Sequence, residues 1–117
     1  MLNILSDAFY KPLGGVQKIS WQGWLVKYAK RIKEDGTSDA DRKAVMNAAN
    51  PKYVLRNYIA QNAIDKAADG DFTLVDEVLE VMRRPYDEQP EREAVYFVKR
   101  PDWARTKPGC SALSCSS

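Results

Sequence analysis

Residues 21–32 read WQGWLVKYAKRI, and their spacing sets the fold class. Trp21, Trp24, Leu25, Tyr28 and Ile32 fall at i, i+3, i+4, i+7 and i+11, on one face of a helix. Lys27, Lys30, Arg31 and Lys33 lie largely off that stripe. An aromatic stripe at helical spacing is expected to pack into a core. Interleaved with basic groups it also has the composition of a stacking platform. Gly36 is placed to stop this helix. Ser38, with Asp41 three residues on, starts a second one over about 39–48. Upstream, Pro12 and Gly14-Gly15 interrupt residues 1–19, which read as an irregular lead-in.

Downstream, Asn50-Pro51 combines a favoured N-cap with a favoured first helical residue. Val54, Leu55, Tyr58, Ile59 and Ile64 then predict a third helix over 51–68, ended by Gly70. Thr73 and Asp76 offer another cap. Val75, Val78, Leu79 and Met82 carry a fourth helix to about Arg84, before Pro85. Residues 20–84 are thus read as one segment of four helices. Pro85, Pro90, Pro101 and Pro108 break up residues 85–117, where only Tyr96-Phe97-Val98 has the composition of a short strand. Tyr86, Tyr96, Phe97 and Trp103 are too apolar for a solvated tail, so this stretch is expected to wrap a surface. The fold expected is mainly α: a small bundle of about four helices followed by an extended, Pro-rich C-terminal tail.

The 117 residues make about one domain, 44% hydrophobic and 29% charged. Eighteen basic and sixteen acidic groups leave +2. The balance is +3 over residues 1–50, −1 over 51–84 and 0 over 85–117, so no basic arm is hidden. Nothing here calls for nucleic acid or an anionic membrane. No apolar run reaches the ~18 residues of a span. With no histidine, Ser-His-Asp and Cys-His sites are excluded, as are the usual zinc sites. The N-terminus lacks the long apolar region of a signal peptide. A cytoplasmic, reducing compartment is expected, or the mitochondrion in a eukaryote, with both cysteines as free thiols.

Few residues suggest chemistry. Arg56 and Asn57 sit in the first turns of the predicted third helix, where they serve a capped, core-facing helix start or bond a neighbouring loop or a ligand. Asp65, Asp69 and Asp71 lack calcium-loop spacing and read as a solvated acidic turn. Asp76, Glu77 and Glu80 suit a helix N-terminus. Cys110 and Cys115 lie in the terminal GCSALSCSS, a composition that suggests exposed thiols able to exchange. They are left to pair with each other, to pair elsewhere or to stay free.

Four stretches together resemble one family: NPKYVLRNYIAQNAIDKAADGDF (50–72), VMRRPYDEQPE (81–91), RPDWA (100–104) and the final SCSS. Over about residues 19–117 the chain is similar to the C-terminal end of the selenoprotein O family. That resemblance implies pseudokinase-fold proteins, several times longer than this chain, that use ATP and Mg to transfer AMP to protein hydroxyls. Cys115 stands where family members carry selenocysteine or cysteine, and that residue can pair with a cysteine of the kinase-like core as redox control. Cys110 is the only intrachain partner for it and matches no family role. The family's nucleotide- and metal-binding residues lie N-terminal to the matched region, so no cofactor is expected in this chain. A truncated gene, a split product or an expressed fragment would each account for Met1.

The leading expectation is a helical, regulatory C-terminal segment of a selenoprotein O-like adenylyltransferase, inactive alone, with the kinase-like core as its partner. The full-length enzyme would also meet protein substrates. The alternatives are a free-standing helical protein-interaction module and a thiol-exchange protein using Cys110 and Cys115.

Overall fold

Helices dominate from the first residues, and each ends where local chemistry satisfies its last or first backbone groups. A computed structural model describes residues 2–110. Residues 1–46 and 47–117 form two compact units, dividing the chain inside the stretch read as one four-helix segment.

In the first unit the lead-in is not irregular. Leu2–Ala8 is a 3-10 helix, and α1 runs over Gly15–Glu34, starting six residues before the aromatic stripe does. The Gln17 side chain accepts the Gly14 N–H at 3.0 Å, which satisfies a donor at the helix entry. Gly36, at φ +66°, follows the last turn, as expected of a stop. Asp39–Ala49 forms α2 and crosses the unit boundary. Its start matches the Ser38–Asp41 reading: the Asp41 N–H donates to Ser38 Oγ at 3.1 Å, and that hydroxyl donates to Asp41 Oδ2 at 2.7 Å.

The core reading of the aromatic stripe fails. None of the described residues of this unit is buried, and Trp24 is 48% exposed. Phe9 meets Trp21 edge-on, Trp21 meets Trp24 edge-on and Trp24 stacks on Tyr28, with ring centroids 5.0–5.7 Å apart, along a largely open face. Periodicity marks an apolar face correctly, but it does not supply the surface that covers it.

The second unit holds the core: Tyr53, Tyr58, Ile59, Val78, Val81, Tyr96, Ala104 and Cys110, with Leu74 and Met82 against it. Its helices are α3 (Asn57–Ala68) and α4 (Thr73–Arg83). Asn50-Pro51 does not start α3. Residues 51–56 stay non-helical because Lys52 and Tyr53 donate their N–H groups to the Pro85 carbonyl, at 2.8 and 3.1 Å. The N-cap is Arg56. Nor does Thr73 cap α4; Asp71 Oδ1 accepts its N–H at 3.0 Å and its hydroxyl at 2.6 Å. On α4 the buried side chains are Val78 and Val81, while Leu79 lies half-exposed.

The tail leaves α4 and wraps, with short helical turns along it. Pro90–Arg92 and Asp102–Arg105 are 3-10 turns, and Glu93–Tyr96 is a short α5 that takes in Tyr96, the first residue of the stretch with strand composition. No strand occurs among the described residues. No described helix is long and apolar enough to cross a membrane.

Candidate functional site

Where the tail leaves α4, a set of side chains clasps it to the start of α3. Lys52 lies at the centre. Its ammonium bonds Glu88 at 2.5 Å and also Glu93, and it sits 5.1 Å from the Phe97 ring centroid. The bonds to Glu88 and then Glu93 push its pKa above the ordinary lysine value. Tyr53, 1% exposed, carries a hydroxyl 2.6 Å from the Glu88 carbonyl and 2.9 Å from that of Gln89. Burial raises that phenol's pKa.

Gln89 is the residue that local sequence reasoning misses. It adopts φ +40°, in the left-handed region, and is buried. Its amide donates to the Val81 carbonyl at 3.1 Å and to that of Arg84 at 2.7 Å, closing the C-terminal end of α4. The only sequence signal is the neighbouring Pro90, which disfavours a helical Gln89.

Farther along, Tyr96 donates its hydroxyl to Glu77 at 2.8 Å, and Arg92 pairs with the same carboxylate at 3.1 Å. Burial first, then the Glu77 bond, push Tyr96 up to about 12. Arg56 donates to the Val98 carbonyl at 2.8 Å, so of the roles open to it, the bond to a neighbouring loop is realised. Trp103 meets Tyr58 edge-on, with centroids 6.3 Å apart.

The acidic turn divides rather than converges. Asp65 takes Lys107 at 2.5 Å and Gln61 at 2.6 Å, and these bonds lower its pKa. Asp71 is engaged by Thr73, which lowers its pKa too. Among the described residues no group of three His, Cys, Asp or Glu side chains is placed to hold a metal. The carboxylates of the clasp are turned onto Lys52 and Arg92, and the Gly14 N–H onto Gln17.

Of the two cysteines, Cys110 lies among the described residues. Cys110 is 4% exposed and belongs to the core, contrary to the exposed thiol its Ser/Gly/Pro setting suggests. Its N–H donates to the Lys107 carbonyl at 3.1 Å. The chain reaches it through Gly109, at φ +83°, where a Cβ would lie 2.0 Å from Gln61 Oε1. A side chain there would have to displace the end of Gln61 and adopt a left-handed backbone that favours glycine. Cys115 lies outside the described residues.

No protein-family model matches the chain. It is 54% identical over 116 residues to the protein nucleotidyltransferase YdiU of Xanthomonas campestris, covering 98% of this chain and 22% of that protein. The YdiU of Azoarcus sp. is 57% identical over 114 residues, covering 95% and 21%, and that of Aromatoleum aromaticum 53%, covering 97% and 22%. The likeness therefore takes in the lead-in as well as residues 19–117. The chain spans about a fifth of the length of the curated relatives it matches. With the clasp residues and the terminal motifs inside that match, the chain belongs to the selenoprotein O family of YdiU protein nucleotidyltransferases, as its C-terminal region.

Proposed function

We propose that this chain is a structural and regulatory segment of a protein adenylyltransferase, whose catalytic core is a separate, kinase-like body. In the full-length protein that body would hold ATP and Mg and would transfer AMP to protein hydroxyls. The chain itself would stay inactive. The single observation that carries this reading is the contrast between its two units. Residues 47–110 bury a core and clasp their own tail, whereas no described residue of the first unit is buried. A helix with large aromatics left open lacks the burial that normally stabilises it. That contrast favours a docked segment over a free-standing interaction module.

Cys115 serves as the redox thiol in this reading. The clasp and the Cys110 anchor fix the chain five residues before it. On oxidation Cys115 and a core cysteine would form one disulfide, releasing two protons and passing two electrons to a thiol oxidant such as glutathione disulfide. Cys110, buried, is the poorer exchanger.

The test uses a full-length protein in which this chain replaces the matching C-terminal residues of the Azoarcus relative. Labelled AMP transfer is followed in reduced and oxidised glutathione. Activity that shifts with redox poise, and no longer shifts in Cys115→Ser, supports the reading. An equal response in both proteins removes Cys115 from it. Transfer by the isolated 117-residue chain above a no-protein control refutes the assignment of catalysis elsewhere.

A further inference from the structure

The α1 helix is apolar on two sides, and the aromatic ladder occupies only one. Val16, Ile19, Gly23 and Val26 line the other, at i, i+3, i+7 and i+10. The three apolar side chains are 61–80% exposed. The 3, 4, 3 spacing is that of a seam between two helices, two heptads long.

Gly23 sharpens the point. In a helix interior glycine costs about 1 kcal/mol relative to alanine. Its φ is not positive, and a Cβ at this position would meet nothing within 4 Å. Nothing among the described residues therefore calls for glycine here. A helix backbone approaching from outside would.

We infer that the Val16–Ile19–Gly23–Val26 face of α1 is a docking seam for an apolar helix of the N-terminal four-fifths of the full-length protein. This rests on the proposed reading of the chain as a docked segment. With 22% of the relative matched, about three and a half residues lie outside the matched region for each one inside it, which is ample for a partner helix. The seam continues into Lys30 and Lys33, so the partner helix turns acidic where it meets them. Lys30 makes only a loose, exposed pair with Glu34 at 3.9 Å, which leaves it available to that end.

The experiment places the photo-crosslinker p-benzoylphenylalanine at Val26 of the full-length protein described above, with Lys43 as the control position. The crosslinked peptides are mapped by mass spectrometry. The expected product joins Val26 to the N-terminal four-fifths of the same molecule, and Lys43 gives none. Gly23→Leu lowers its yield about tenfold by overfilling the seam. Crosslinks to a second copy, to residues 47–110 of this chain, or to no peptide at all overturn the inference. The isolated chain is the second arm: it should sediment without a Val26-linked dimer, and such a dimer also overturns the seam. An active full-length protein lacking the Val26 product counts against the seam alone. A Val26 product in a protein that transfers no nucleotide counts against the proposed function alone.

Discussion

Replacing Gln89 tests the clasp at its least obvious point. In Gln89→Ala both amide hydrogen bonds to α4 are lost. Neither carbonyl is left bare, because Val81 O still accepts the Arg84 N–H and Arg84 O still accepts the Asp87 N–H. The cost is then the net worth of two bonds, about 1–3 kcal/mol in total, without an added penalty for stranded acceptors. For a unit of this size, about 2 kcal/mol corresponds to a fall in Tm of roughly 8–16 °C. Gln89→Glu should cost more at neutral pH, since a carboxylate would face two carbonyl oxygens. That environment raises the folded-state pKa of the new acid, so its penalty grows as pH climbs through the unfolded carboxylate range and is smallest below about pH 4. Urea melts of the 117-residue chain, followed by circular dichroism at pH 4 and pH 7, give both numbers. An alanine variant within about 0.3 kcal/mol of the parent would refute the claim that the Gln89 amide secures α4. A Gln89→Glu penalty that does not change with pH would refute the geometry assigned to it.

Four further outcomes follow. Lys52→Met should melt earlier than the parent in low salt, and the difference should shrink in 1 M salt, since the Glu88 and Glu93 ends of the clasp are partly exposed. Tyr96, held protonated up to about pH 12, contributes stability that is present below the ordinary tyrosine pKa and lost as pH rises through the folded one. Stability should therefore fall more steeply between about pH 10 and 12 in the parent than in Tyr96→Phe, as read by urea melts across that range. Gly109→Ala should cost about 1–2 kcal/mol through its left-handed backbone and displacement of Gln61 from Asp65, measured by the same melts. In Cys115→Ser the remaining thiol, Cys110, should react with Ellman's reagent only as fast as the second unit opens; immediate labelling would contradict its burial.

How far the fold could be read depended on where each decision is made. The start of α2 and the end of α1 rest on Ser38, Asp41 and Gly36, residues that act on their immediate neighbours, and these were legible. The start of α3 was not. Asn50-Pro51 has helix-start chemistry, but the Pro85 carbonyl, more than thirty residues away, holds Lys52 and Tyr53 outside the helix. The tail's wrapping was legible from its aromatics, while its helical turns depend on Gln89 and on Tyr96 reaching Glu77. Cys110 misled for the same reason. Its Ser/Gly/Pro neighbours suggest exposure, but Gly109 lets the backbone close against Gln61 and carries the thiol into the core. The aromatic stripe shows the opposite failure: its pattern was read correctly, and its cover is absent from the unit that carries it.

Amide hydrogen exchange tests the docked-segment account most directly. In the isolated chain the α1 amides, Gly15–Glu34, should exchange close to random-coil rates, while the cores of α3 and α4 stay protected. In the full-length protein carrying this chain the same α1 amides should slow by about a hundredfold or more. Equal and strong protection of α1 in both proteins would contradict the account, because the helix would then need no other body to cover it.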